Sequence, residues 1–369
     1  MIPTHYIPIL RGKKAEFDAL AGLPANDKQR FTPLIEIARA PLQPLTGAPK
    51  KTPDQQIEAT TQQLKESWGT ESPVFVDAQA LSGSWLANGI HPLEALGRSG
   101  QAAGIRLIPV TAPDRDPEQQ QASVAVARQH GGGICIRLNA GAMLDVDEGI
   151  RDPLEELLGT LGMDAPDIDL VLDYADMPFR AHAPIIPLVI QSALQAIPAV
   201  DRWRSLTVAA SAFPDQLSAF QGFRPGEVVP VPRTEWGIWQ TLVDQRQKLP
   251  RLPQFGDYGI ISAAPMADFD PVKMSTAAKI RYTCRNHWLV IKGASIKKEG
   301  CDQYFGLAAS LINHPDFCGR DFSPGDEYMF SRGTREAEAT CGNQATWIQA
   351  GLSHHLTFVA RQLASLDGA

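Results

Sequence analysis

The chain has 369 residues, 44% of them hydrophobic and 20% charged, with a formal net charge of −7. That apolar share excludes intrinsic disorder and allows a large core, and the negative balance gives no overall charge for nucleic-acid binding, although it does not exclude nucleic acid. The N-terminal MIPTHYIPILRGKK lacks the flank and apolar run of a signal peptide, and no segment approaches the ~18 continuous apolar residues of a membrane span, so a cytoplasmic protein is expected.

Strand-like runs recur along the chain at 5–10, 31–37, 73–78, 106–112, 133–139, 168–174, 205–211 and 257–262. Between them lie helical patterns: KAEFDALAGL, TPDQQIEATTQQLKESWG with Thr52 as cap and Gly69 as stop, HPLEALGRSGQAAG, PEQQQASVAVARQHGG, DPLEELLGTLG, PLVIQSALQAI and RTEWGIWQTLVDQRQ. Continuous apolar strands alternating with helices require a parallel sheet covered on both faces, and eight such units predict a (β/α)8 TIM-like barrel. A doubly wound open sheet competes less well, because no GxGxxG follows the first strand. One domain over 1–369 is expected, with a barrel core at about 5–317 and a C-terminal helical extension at 318–369.

Two connections are long and proline-rich, ARAPLQPLTGAPKKTPD after strand two and FPDQLSAFQGFRPGEVVPVP after strand seven, as befits loops that line a site. After the eighth strand, KIRYTCRNHWLVIKG (279–293) reads as a β-hairpin lid over the barrel mouth, followed by QYFGLAASLINHP as the last outer helix. FSPGDEY (322–328) reads as a Pro-Gly turn, and Trp236 and Trp239, three apart on a helix, as a core-facing pair. The five cysteines, Cys135, Cys284, Cys301, Cys318 and Cys341, are odd in number and show no CxxC spacing, so reduced thiols are expected rather than a disulfide framework or structural zinc.

A barrel collects the polar residues at its strand C-termini on one face. Arg11, Glu36, Asp77, Thr111, Arg137, Asn139, Asp173 and Ser211 all occupy such ends, in or beside apolar runs where an unpaired charge would be costly. The carboxylates Glu36, Asp77 and Asp173 are candidate catalytic groups, able to share Mg²⁺ or Mn²⁺ or to divide acid and base roles; pairing with Arg11 and Arg137 is the preferred reading, with no cofactor. Arg11, Lys13, Arg137, Asn139, Arg281 and Lys292 are candidate contacts to an anionic, phosphate-bearing ligand, with Trp347 beside them. Residues 233–299 hold eleven Lys or Arg against six Asp or Glu, a local +5. RGKK lacks the P-loop frame, and GGG at 131–133 reads as a helix stop.

In GNQATWIQAGLSHHLTF, His354 and His355 are further candidates for chemistry. Adjacent helical residues point ~100° apart, so both cannot grip one ion, and anchoring of the closing segment is preferred to ligand binding or metal ligation.

YIPILRGKKAEFDAL, FTPLIEI, SLTVAASAFP, RTEWGIW, FGDYGI, IRYTCRNHWLVIKG, FSPGDEYMF and the GN-x-x-TW…HHL block, in order through nearly the whole chain, resemble the Beta protein family of prophages and satellite phages. The resemblance implies a mobile-element protein found in some loci beside a Gop-type toxin gene, with an accessory or antitoxin-like role in phage defence and a neighbouring gene product as partner. It supplies no reaction and no catalytic residues. The alternative is a metal-dependent phosphoester hydrolase or nuclease built on the three carboxylates.

Overall fold

The computed structural model describes residues 3–40, 42–43, 46–81, 83, 86, 88–140, 149–176, 185–214, 224–264 and 276–368. Its strands are β1 (Tyr6–Leu10), β2 (Leu34–Glu36), β3 (Pro73–Asp77), β4 (Arg106–Thr111), β5 (Ile134–Asn139), β6 (Ile168–Asp176), β7 (Ser205–Ser211), β8 (Val228–Pro232), β9 (Gln254–Asp257), β10 (Ala277–Thr283) and β11 (His287–Ser295). The helices are α1 (Lys14–Ala21), α2 (Ala25–Lys28), α3 (Pro53–Ser67), α4 (Pro92–Ala102), α5 (Pro117–His130), α6 (Arg151–Leu161), α7 (Ile186–Ala196), α8 (Thr234–Asp244), α9 (Ile296–Glu299), α10 (Gln303–Ile312), α11 (Pro324–Gly333) and α12 (Gln344–Ala364). No helix among the described residues is long and apolar enough to cross a membrane.

Strands β1 to β7 and β9 close into a parallel barrel, and β10, β11 and β8 form a separate antiparallel sheet. Alternation along each strand sets the interior. Ile7 and Ile9, Leu34, Phe75, Ile108 and Val110, Cys135, Val171 and Ala209 fill the barrel, while the residues between them face the helices. The last barrel strand is Gln254–Asp257 rather than 257–262, because Phe255 to Asp257 pair with Tyr6 to Pro8 and Gly259 then turns the chain at φ +65°. Closure there depends on glycine: a Cβ on Gly256 would lie 2.8 Å from the Ile7 carbonyl oxygen and 2.9 Å from Ala209 Cβ.

Helix ends follow local chemistry. Thr52 and Gln55 form a reciprocal capping box before Pro53, Asp116 caps α5, and Gly131 ends α5 in the left-handed region. Trp236 and Trp239 stack at 5.2 Å and pack edge-on against Phe255, the core pair their spacing predicts.

The C-terminal third departs from expectation in its assignments. QYFGLAASLINHP does form a helix, α10, but Tyr304, Leu307, Ala308 and Leu311 pack on the small sheet through Ala278, Ile280 and Ile291. The outer position against β1 belongs instead to α12, whose Leu352, Leu356, Val359 and Leu363 share a core with Tyr6, Phe255 and Trp236. Helix α12 is buried on almost every face because the barrel wall, the β10 sheet, α1 and α11 all lie against it. FSPGDEY is a helix start rather than a free turn: Ser323 caps α11 and Pro324 occupies its first turn. Of the long segment 213–232, residues 215–223 lie outside the described residues, and Val228–Pro232 is the third strand of the small sheet.

The expectation of five reduced thiols is also corrected, because Cys301 and Cys341 form a disulfide with Cα atoms 5.6 Å apart. They stand 40 positions apart in sequence, one just before α10 and the other before α12, where Tyr304 of α10 stacks on Trp347 of α12.

Candidate functional site

At the C-terminal end of the barrel a cavity of about 840 Å³ is lined by Arg11, Lys13, Glu36, Arg39, Asp77, Asp114, Arg115, Arg137, Asn139, Asp173 and Tyr258 among others. Strand alternation accounts for much of this. Two residues beyond an inward Ile9, Leu34, Phe75, Cys135 and Val171 come Arg11, Glu36, Asp77, Arg137 and Asp173, so each apolar layer is followed at the rim by a charged one. Gly12, at φ +60°, turns the chain between Arg11 and Lys13, and a Cβ there would sit 2.5 Å from the Glu36 carbonyl oxygen.

Arg137 is the hub. Its Nε donates to Asp173 Oδ2 at 2.9 Å, Nη1 to Asp77 Oδ2 at 3.0 Å and Nη2 to the Tyr258 hydroxyl at 2.8 Å. Nη1 is also 2.8 Å from Glu36 Oε1, so one guanidinium joins carboxylates from β2, β3 and β6. Burial works against the charge of Arg137, but Asp173, with Tyr258, Glu36 and Asp77, more than offsets it and holds the guanidinium pKa well above its ordinary value. Tyr258 donates to Asp173 Oδ2 at 2.6 Å, and burial next to Asp173 raises its pKa well above the usual range, leaving a neutral phenol.

The two aspartates are held from the backbone as well. Asp77 Oδ1 accepts from Gln79 N at 3.1 Å, and Asp173 Oδ1 accepts from Ala175 N at 2.9 Å, where Ala175 takes the unusual φ of 48°. Arg115 Nη2 adds a 3.2 Å bond to Asp77 Oδ2. Arg11 donates through Nη2 to the carbonyls of Ser262 and Ala264, at 2.8 and 2.5 Å. The Nε groups of Arg11 and Arg115 are buried in the wall with no acceptor among the described residues. Five cationic side chains thus face four carboxylates around the cavity.

The sequence-predicted set divides cleanly. Arg11, Lys13, Glu36, Asp77, Arg137, Asn139 and Asp173 meet at the mouth. Arg281, Lys292, Trp347, His354 and His355 do not line it. Arg281 lies over the Phe213 ring at 5.1 Å, and burial lowers its pKa to about 10. Lys292 is cross-strand from Lys279 in the hairpin. Trp347 stacks on Tyr304 at 4.6 Å and donates to the Cys341 carbonyl. The hairpin follows the eighth barrel strand as predicted, but it packs on α12 and none of its described residues lines the cavity. Its amphipathic strands bury one face, and α12 and α10 supply the cover.

Both histidines are fully buried outside the barrel wall. His354 pairs with Asp326 through Nδ1 at 2.9 Å and with the Thr283 carbonyl through Nε2 at 2.8 Å, while Tyr282 and Ser323 donate to the same aspartate. His355 reaches Asp257 through Nε2 at 3.0 Å and the Thr283 hydroxyl through Nδ1 at 2.8 Å; Tyr6 donates to Asp257 at 2.5 Å. Burial, only partly countered by Asp257, lowers the His355 pKa and favours the neutral ring. The pair therefore pins α12 to β9, β10 and α11. Asp257, read as the start of a strand, is the end of one and turns outward to hold this anchor.

Arg39, Asp114, Arg115 and Tyr258 were not singled out from the sequence. Arg115, in the βα turn TAPDRDP just after β4, carried the one usable signal, a cation at the start of a barrel loop.

A sequence profile of the family described as Beta protein spans residues 6–361. The chain belongs to the Beta protein family. No curated protein matches it. The family span runs from the first residue of β1 to Arg361 in α12, so the barrel, side sheet and histidine anchor of this Beta family member all fall inside it. Arg361 itself pairs with Asp27 of α2 at 2.9 Å and closes the helical layer.

Proposed function

We propose that this Beta family protein is a binding protein that takes an anionic, phosphate-bearing ligand, or an acidic element of a protein partner, at the barrel mouth, and acts as an accessory or antitoxin-like regulator in phage defence. The position of the Arg137 guanidinium carries the reading. It stands among Glu36, Asp77 and Asp173, where a cation shared by those carboxylates would have to sit, so they serve to fix an arginine. Among the described residues, these three do not bring their oxygens together as a metal-holding group. Around that fixed centre, Arg11, Arg39 and Arg115 add cationic side chains to the cavity lining. A cavity of about 840 Å³ suits a small molecule. The regulatory role and a Gop-type toxin as the neighbouring partner rest on the family alone.

The test is calorimetric titration and thermal melting of the full chain with mono-, di- and triphosphate nucleotides, beside a pull-down with the neighbouring gene product. A ligand at ~100 times its Kd adds about 2.7 kcal/mol to stability, and Arg115→Ala with Arg39→Ala should abolish that gain. No binding in either assay at micromolar concentration rejects the reading. Mn²⁺-dependent phosphoester cleavage that disappears in Asp173→Asn would replace it with the hydrolase alternative.

A further inference from the structure

The tip of the β10–β11 hairpin is a tight turn in which Cys284 N donates to the His287 carbonyl at 2.8 Å, so Cys284 and His287 stand at the same end of the sheet. The connection from α10 to α11 is fastened over it: Cys318 N donates to the Tyr282 hydroxyl at 2.7 Å, and Phe317 packs on the Tyr282 ring. This fastening brings Asp316 to the turn, with its Oδ2 3.2 Å from His287 Nε2 and 3.9 Å from His314 Nδ1. One donor atom from each of Cys284, His287 and Asp316 lies within 4.8 Å of the others. Cys284 is 4% exposed, whereas His287 and Asp316 are open to solvent on one side.

We propose that Cys284, His287 and Asp316 form a binding site for a borderline divalent transition metal, zinc above all, with the fourth position open to water. A thiolate, an imidazole and a carboxylate are the mixed donor set that zinc accepts, whereas Mg²⁺ and Ca²⁺ require oxygen alone. Zinc bonds of ~2.0–2.3 Å place tetrahedral ligands roughly 3.3–3.8 Å apart; the His287–Asp316 pair at 3.2 Å stands just under that spacing, and three donor atoms within 4.8 Å of one another would have to draw together around the ion. An ordinary histidine–aspartate ion pair accounts for only two of the three groups. The other cysteine-containing group, Cys301, Asp302 and Cys341, has both thiols in the disulfide and offers no such site. A bound ion would staple the hairpin tip to the α10–α11 connection; Arg233, which donates to the Cys284 carbonyl at 3.1 Å, would link that staple to α12 through Gln362. The site shares no residue with the barrel mouth, so it stands or falls independently of the function proposed above.

Cobalt titration of the full chain tests this in a Cys318→Ser background, which removes the exposed thiol. One equivalent of Co²⁺ should produce a near-ultraviolet thiolate-to-metal band that zinc displaces. Cys284→Ser should abolish the band, and Asp316→Asn, a change at a surface loop that leaves the core intact, should weaken binding at least about tenfold, the loss expected when a metal's ligand set is disturbed. Cys135→Ser, which removes a buried thiol inside the barrel, should leave the band unchanged. Absence of a band in the Cys318→Ser protein, or a band that survives Cys284→Ser, overturns the proposal.

Discussion

Replacing Arg137 with methionine tests whether the barrel mouth is held by a single guanidinium. The arginine side chain is 12% exposed, and it serves Asp77 and Asp173, which are 3% and 7% exposed, together with Glu36 at 33%. Methionine keeps most of the volume but removes every donor. Asp77 retains Arg115 and the Gln79 amide, and Asp173 retains Tyr258 and the Ala175 amide, so neither is left bare. Each still loses its principal counter-charge in a buried setting, where breaking a pair costs about 3–5 kcal/mol; the half-open Glu36 adds little. At ~2.1 cal/mol/K per residue, this becomes a fall of about 4–6 °C in Tm for a chain of 369 residues. Calorimetry at pH 7 is the assay, with Arg137→Met/Asp173→Asn as the second arm. Removing the stranded charge should recover at least ~1 kcal/mol, since residues in one network couple. A loss below ~1 kcal/mol, the value of a solvated surface pair, would refute the hub and with it the reason for assigning the carboxylates to arginine rather than to a metal.

Three other outcomes follow from buried groups elsewhere in the fold. Glu235 is buried, and although Arg233 opposes the effect, burial raises its pKa to about 8. A raised folded pKa gives stability that is fully present below the ordinary value of 4.5 and is lost as pH climbs through 8, so denaturant melts from pH 5 to 9 should show wild type losing ground to Glu235→Gln by up to roughly 4 kcal/mol. Parallel curves would contradict that burial. Reducing the Cys301–Cys341 bridge frees a 40-residue separation and should lower stability by about 4 kcal/mol on the chain-entropy account; a melt indifferent to reductant would show that the thiols are not joined. Asp326→Ala strips Tyr282, Ser323 and His354 of a common acceptor in a fully buried position, and should cost about 3 kcal/mol or more while exposing the C-terminal segment to limited proteolysis. Unchanged protease resistance would deny the histidines their anchoring role.

The barrel was legible because its evidence is local. Short apolar strand runs, helices with caps such as Thr52 and Asp116, and glycine stops such as Gly131 each declare themselves within a few residues. Rim residues were legible for the same reason: Glu36 and Asp77 end their apolar runs, and the C-terminal ends of parallel barrel strands share one face. The misplaced candidates all belong to the last third of the chain, where no repeating unit constrains the path. Trp347, His354 and His355 carry the sequence marks of a site, yet a helix buried on nearly every face needs polar groups that satisfy one another just as a cleft does.

Sequence by itself determined the eight-fold alternation of strands and helices and which charged residues stand at strand C-terminal ends, and therefore which charges reach one end of the barrel. Tertiary structure alone decided that Arg137 joins three carboxylates, that α12 takes the outer place beside β1, and that Cys301 meets Cys341. Alternation is a property of neighbouring residues, whereas these meetings depend on how a closed sheet and its covering helices bring together segments tens to hundreds of residues apart, and no local pattern encodes that distance.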